Sequence, residues 1–351
     1  MIPILYAADD KSRTGFGLGL LAECTACSVT EERNGSYELS LKYPPSGKRA
    51  KDLREGCVLR ARVSRDSEQL FRICGIRQEI EGPFTCRARH ISYDLNGCPL
   101  YSYTPAAPVT ADEALKAAFA ASDGIVSHGF TAYSDIDGTR SLSVTAPCSL
   151  RAFCGTAADT FGGDLEWDGT TVRLLASRGR DTGFTVRYGG NMTSFVRETD
   201  ESTQYTHILP YAVLADGTVL TLSGVWRMLP LENTNLSRVR VKTVDLSSSF
   251  SDGDVMTEDA LREAALAYIA ENGSDLTRNG ESLSVSCVPP DEDIRVCDTV
   301  RVEHGPLGVS VSARVVRTEY DVLRERLTSM KIGDTVASLT DTVANFAKGK
   351  V

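Results

Sequence analysis

Aromatic residues are scarce in this sequence: they make up 7% of its 351 residues, and two are tryptophan. Surfaces that grip glycans or partner proteins rely on exposed aromatic anchors, so the scarcity gives little support to a host-surface glycan-binding module. Positive charge is not in excess. The formal net charge is −9, and no block of like charge stands out, which argues against a nucleic-acid grip built on neutralising phosphates. No apolar run approaches the roughly 18 residues of a membrane-spanning helix, so no membrane span is expected. The opening MIPILYAADDKSRTG lacks the basic start, apolar core and small-residue cleavage site of an export signal.

Histidine is scarce too. His90, His128, His207 and His304 are the four in the chain, isolated from one another, and no HExxH or GxxxxGK[ST] occurs. FGLGLL lacks the third glycine of a dinucleotide fingerprint. No metal and no cofactor is therefore expected. The ten cysteines run the other way. Cys24 and Cys27 form one CxxC without a second pair, and Cys57, Cys74, Cys86 and Cys98 lie in strand-like segments. Their expected use is as small hydrophobes in a reducing cytoplasm, with metal or redox chemistry as the alternative.

What is present is alternation, the mark of β structure. ECTACSVTEERNGSYELSLKYP holds two alternating runs around Asn34-Gly35, the strongest short hairpin signal. GCVLRARV, LFRICGIRQEI and FTCRARHISYDL are three more strand candidates, and the proline-rich YSYTPAAPVT at 101–110 is expected to link two domains. Helix signals are fewer. Thr110 to Glu113 is a capping box opening LKAAFAA, Ser149 can cap a helix at LRAF, and Thr257 can cap EDALREAALAYIA, with Asn272-Gly273 ending it. The segment 200–233 predicts a hairpin turning at Asp216-Gly217. Near the end, Val336, Leu339, Val343 and Phe346 follow 3-4-3 spacing, a stripe too short to stand as a helix alone.

The chain also echoes itself. EGCVLRAR (55–62), CGIRQEI (74–80) and RHIS (89–92) are matched in order by CDTVRVEH (297–304), RVVRTEY (314–320) and MKIG (330–333). Such a repeat suits two related β-barrels. The expected organisation is a first barrel at 1–105, an α+β domain at 106–199, and a second barrel from 200–233 with 290–333. An α+β insertion at 234–289 and a C-terminal helix or tail at 334–351 complete it.

One stretch suggests chemistry. In DTFGGDLEWDGTTVRLL (159–175), Asp164, Glu166 and Asp168 alternate with Leu165 and Trp167, which puts three acids on one strand face. Acids two residues apart lie roughly 7 Å from each other, within the separation that glycoside hydrolysis uses. Asp168-Gly169 reads as a hairpin turn, which makes Asp164 and Glu166 the exposed polar face of a one-sided strand. An exposed carboxylate lacks the burial that raises a general acid's pKa. A second catalytic option pairs Cys148, just before a helix start, with a distant histidine.

The segment ADTFGGDLEWDGTTVRLLASRGRDTGFTVRYGGNMTSFVRETD and the YTHILPYA after it resemble the prophage tail endopeptidases, or tail-associated lysins. That family has a GGELEWD-like hairpin, a glycine-rich RG-D-G turn and a YGxNLT segment. SVTEERNGSYELSLKYP, ARHISYDL, LREAALAYI and the run from DTVRVEH to KIG fit in the same order, so the likeness covers nearly all of 1–333. It implies a mainly β fold with α+β insertions, like a phage baseplate hub, with two related β-barrels per chain in a trimeric ring. It also implies a non-enzymatic function: closing the tail tube at a phage or phage-like tail tip, adapting a six-fold tube to a three-fold tip and anchoring tip, fibre or receptor-binding proteins.

The partners implied are two further copies of the chain, the distal tube protein and the C-terminus of the tape-measure protein, with DNA passing the channel without specific binding. The place implied is the virion tail tip, assembled in the bacterial host cytoplasm. Family members named as lysins carry a catalytic domain after this region, and none is expected in the roughly 18 residues past KIG. In a trimer, Val336, Leu339, Val343 and Phe346 are expected to meet their copies on the three-fold axis. The rival readings are a cell-wall hydrolase, peptidoglycan endopeptidase or glycosidase, using Asp164 and Glu166 or a cysteine nucleophile, and the glycan-binding module.

Overall fold

The computed structural model describes residues 1–78, 82–200, 205–213, 217–222, 226–227, 239–250, 257–277, 280–291 and 293–335. Strands follow the alternating runs. After β1 (Ile4–Tyr6) and β2 (Gly19–Leu20) comes the hairpin of β3 (Ala26–Glu32) and β4 (Tyr37–Tyr43). Asn34 turns it at φ 50°, a left-handed conformation that asparagine tolerates better than most residues. Along β4 every second residue, Tyr37, Leu39, Leu41 and Tyr43, is buried, as a strand with one face on a core requires. β5 (Val58–Ser64), β6 (Ser67–Arg77) and β7 (Phe84–His90) continue as an antiparallel meander.

The next stretch mixes helix and strand: β8 (Pro99–Leu100), α1 (Ala111–Asp123), β9 (Thr131–Ser134), β10 (Cys148–Ser149), α2 (Leu150–Phe161), β11 (Asp164–Asp168) and β12 (Thr171–Leu175). The capping box forms as read, with Thr110 and Glu113 exchanging hydrogen bonds, and Ser149 caps α2 through the Ala152 N–H. Both helices bury one face. Leu115 and Phe119 of α1 and Phe153 and Phe161 of α2 share a single core with Leu39, Phe71 and Ile73 of the meander and with Trp167 and Leu174 of the β11–β12 hairpin. Each such side chain contributes about 1.5–3 kcal/mol on burial.

The remaining elements are β13 (Asp181–Arg187), β14 (Met192–Asp200), β15 (His207–Val213), β16 (Val219–Thr221), β17 (Trp226–Arg227), β18 (Val241–Asp245), α3 (Glu258–Thr277), β19 (Gly280–Cys287), β20 (Thr299–His304), β21 (Val309–Asp321) and β22 (Arg326–Thr335). The chain divides into two units, one of Met1–Phe195 with the described residues from Ser284 onward, the other of Val196–Leu283. In the second unit, β15 is flanked by β16 and β17 on one side and by parallel β18 on the other. Ile208, Ala212 and Val244 of this sheet form a core with Leu261 and Ala265 of α3. Thr257 accepts the Ala260 N–H at the start of α3. The helix runs on through Asn272-Gly273 to Thr277, because a glycine weakens a helix without ending it. Of the expected hairpin turn at Asp216-Gly217, Asp216 lies outside the described residues.

The two expected β-barrels are not there. Among the described residues no sheet closes on itself. The largest runs β14-β19-β22-β21-β3-β4-β7-β6-β5-β1-β2, with β20 and β13 attached at β21. The internal echo is a real likeness of another kind. β5-β6-β7 and β20-β21-β22 are both three-stranded antiparallel meanders. The β3–β4 hairpin stands between them, giving one edge to β21 and the other to β7, so each meander is extended by a neighbour where a barrel would fold back. β21, 13 residues long, takes both neighbours on one side, with β20 along Val309–Arg314 and β3 along Arg317–Asp321. Among the described residues, β15 pairs with β16, β17 and β18 in a sheet separate from that of β20, β21 and β22.

Candidate functional site

The three acids of β11 do point to one face, and that face is turned inward at its start. Asp164 is fully buried, while the side chains of Glu166 and Asp168 are 29% and 50% exposed. This corrects the expectation that Asp164 and Glu166 form an exposed polar face. Asp164 Oδ1 accepts Arg33 Nε at 2.7 Å, and Oδ2 accepts the Arg178 backbone N–H at 2.9 Å and the Arg314 guanidinium. Burial alone would raise its pKa. The hydrogen bonds from Arg314, the Arg178 N–H and Arg33 together reverse that and hold it below the usual carboxylate range. A carboxylate so held stays ionised and cannot serve as a general acid near neutral pH.

Local sequence builds this enclosure. Asn34 at the β3–β4 turn donates to the Gly163 carbonyl at 3.1 Å and accepts the Leu165 N–H at 2.7 Å, so one hairpin turn splints the start of β11. Gly163 lies at φ +99°, where a Cβ would run into the Leu175 carbonyl. Gly179, at φ +92°, passes against the backbone of Cys297 and Asp298 just as closely. These two close approaches explain why the GG and RG dipeptides flank the hairpin.

Further along the face the partners change. Glu166 Oε2 pairs with Arg173 at 2.7 Å, and Arg178 reaches Glu31 at 2.7 Å. Burial alone would lower the pKa of Arg178, but Glu31 and Glu166 outweigh it and raise it. Asp168 takes Arg173 at 3.1 Å and Gln69 Nε2 at 3.0 Å. Gln69 is buried and accepts both the Gly169 N–H, at 2.8 Å, and His90 Nε2, at 3.1 Å. His90 Nδ1 accepts the Ser92 N–H at 3.2 Å, which leaves the proton on Nε2. The ring stacks on Tyr37 at 4.6 Å. Burial, then the nearby Arg151, push its pKa down to about 3, so His90 is neutral. Arg151 of α2 lies over the rings of Tyr93 and Trp167, at 3.8 and 4.3 Å, and binds Ser92 Oγ at 2.6 Å.

Beside this network is a cleft of about 1020 Å³, bordered by the β5–β6 turn, the β11–β12 hairpin, Arg178–Arg180 and residues 293–298, with Tyr37 and Trp167 in its lining. Burial raises the Cys148 pKa, away from the thiolate that nucleophilic attack needs. His128 turns its ring nitrogens to the Phe119 carbonyl and the Phe130 N–H. Among the described residues no group of three or more His, Cys, Asp and Glu side chains is arranged to hold a metal. Among them also, no helix is long and apolar enough to cross a membrane. Val336, Leu339, Val343 and Phe346 lie outside the described residues.

Residues 180–343 match the family model described as prophage endopeptidase tail. Solved structures resemble the whole chain. The prophage tail protein gp18 from Listeria monocytogenes EGD-e is 14% identical with a TM-score of 0.62, over 99% of each chain. The tail protein from Neisseria meningitidis MC58 is 12% identical with a TM-score of 0.57, over 98% of each. The 43 kDa tail protein of prophage MuSo2 from Shewanella oneidensis is 10% identical with a TM-score of 0.59, over 98% of this chain and 100% of that one. The chain thus has the fold of these tail proteins. No curated protein matches it.

Sequence reasoning missed the arginines. Arg33, Arg178 and Arg314 come from three separate stretches, and no local pattern joins them. The signal available was the glycine pair before Asp164, which allows the backbone to pass close to a neighbour.

Proposed function

We propose that this chain is a structural component of a phage or phage-like tail tip. It forms a trimeric, hub-like ring that closes the tail tube, adapts its six-fold symmetry to a three-fold tip, and anchors tip, fibre or receptor-binding proteins. The observation that carries this reading is the fold, shared end to end with three tail proteins of separate bacteria. Its neighbours in the particle are the distal tube protein and the C-terminus of the tape-measure protein, and DNA passes without specific binding. The protein is assembled in the bacterial host cytoplasm and resides at the virion tail tip. Its role is not enzymatic: the acids that look catalytic in sequence are bound to arginines, and the most buried of them is held ionised.

Light scattering of the purified chain with negative-stain imaging tests the proposal. Three chain masses and a three-fold ring with a central hole are expected. A monomer that clears a peptidoglycan suspension, with clearing lost in Glu166→Gln, would overturn it in favour of a hydrolase.

A further inference from the structure

The cleft holds two arginines whose charge is not used within it. Arg173 is matched by Glu166 and Asp168, Arg178 by Glu31, and Arg295 by Asp293 at 2.8 Å. Arg65, at the β5–β6 turn, and Arg180, after the Gly179 approach, are different. Their Nη2 groups donate only to main-chain carbonyls, Arg65 to Asp291 and Arg180 to Asp293, the latter at 3.2 Å. Neither guanidinium has a carboxylate partner among the described residues, and both side chains are exposed. A guanidinium carries five N–H donors in a planar fork, so most donors of both remain for an outside acceptor. The two carbonyls they hold are two residues apart, on the order of 7 Å or less, which brings both forks within reach of one short segment.

We propose that Arg65 and Arg180 form a socket for acidic side chains of a partner polypeptide, held by paired guanidinium–carboxylate hydrogen bonds. The rest of the cleft decides what bears the charge. Glu31, Asp66, Glu166, Asp168, Asp293 and Asp298 line the same space. All but Asp66 are already matched, Asp298 by the Arg180 and Arg295 backbone N–H groups and the others by arginines. Together they would repel a run of phosphates more than one or two carboxylates spaced by neutral backbone. A volume of about 1020 Å³ suits a short turn of chain, being at the upper end of small-ligand pockets. The socket does not depend on the tail reading and is present in the chain alone.

The test is titration of the ¹⁵N-labelled full chain, read at the arginine Nε–Hε signals. The probes are acetyl-Gly-Asp-Gly-Asp-Gly-amide, its Asn counterpart, succinate and inorganic phosphate, and Arg65→Gln and Arg180→Gln assign the two signals. Saturable shifts of both signals by the Asp peptide are expected, with a Kd on the order of 1 mM, weakened roughly tenfold in either variant. The Asn peptide should be silent, and each variant should keep the parent circular dichroism. An equal response to the Asn peptide, or no saturation, overturns the proposal. So does tighter binding of succinate or phosphate than of the peptide. If a variant fails to fold, the Asp-against-Asn contrast on the parent chain decides alone.

Discussion

At the start of β11 the Asp164 carboxylate is enclosed by groups from Arg33, Arg178 and Arg314. Four residues along the same face, Asp168 keeps half its side chain in solvent and shares Arg173 with Glu166. The two residues have the same chemistry and the same alternation phase, so strand geometry does not separate them. What separates them is how much of the chain crosses each end. At Asp164 the β3–β4 turn, the Arg178 segment and β21 converge, and water is excluded. At Asp168 the hairpin turns into the cleft. Burial therefore makes one acid a structural fastening and leaves the other adjustable.

Removing the fastening should have the largest effect. In Asp164→Asn the guanidinium groups of Arg33 and Arg314 lose their buried anion, and breaking such a pair costs about 3–5 kcal/mol. Urea unfolding should show this as a lower midpoint at unchanged slope. A loss below about 1 kcal/mol would mean that the enclosed and open ends are energetically alike.

Acid should separate the histidine beneath the open end from the aspartate at the enclosed one. His90 has its folded pKa pushed down to about 3, against about 6.5 unfolded. As pH falls through 6.5 the unfolded chain binds this proton and the folded chain does not. Stability should then drop by about 1.4 kcal/mol per pH unit until the folded pKa is reached. Asp164, also lowered in the folded state, adds its loss only below the ordinary aspartate value of about 3.9. Unfolding free energies measured between pH 7 and 4 should show the first slope, and His90→Gln should flatten it by one proton's worth. An unchanged slope in that variant would place the acid sensitivity elsewhere.

Much of the fold could be read locally, and the reason lies in which interactions are local. Asn34-Gly35, the Thr110–Glu113 capping box and the Ser149 cap each satisfy backbone groups within a few residues, and all three form as the sequence indicates. The meander echo was also legible, because alternation repeats wherever strands do. Closure was not. Whether β5-β6-β7 curls on itself or continues into β4 depends on which edge the β3–β4 hairpin takes, and alternation is the same in either case. The site failed for a related reason. Asp164 looks exposed because a hairpin strand needs one polar face, yet it is covered by Arg33, 131 residues away, and Arg314, 150 residues away. Arginine partners at that distance leave no periodic trace.

At the open end, Gln69 ties the hairpin turn to His90. Gln69→Ala would leave the Gly169 N–H and His90 Nε2–H without their acceptor, at about 1–3 kcal/mol. It should also loosen the turn, seen as faster amide exchange at Gly169 than at Leu165, whose N–H is bound by Asn34.

The smallest effect belongs to Asp168 itself. Its ion pair with Arg173 is half in water, and exposed pairs contribute about 0–1 kcal/mol. Asp168→Asn keeps an oxygen for Gln69 Nε2 and should unfold within about 1 kcal/mol of the parent. It also removes one negative charge from the cleft that Arg65 and Arg180 border, so an acidic peptide should bind somewhat more tightly there, and less so as salt rises. A small stability change together with tighter binding would show that the open end of the face is set by what enters the cleft. A loss as large as that of Asp164→Asn would instead make both ends fastenings, and the contrast along β11 would come down to solvent exposure alone.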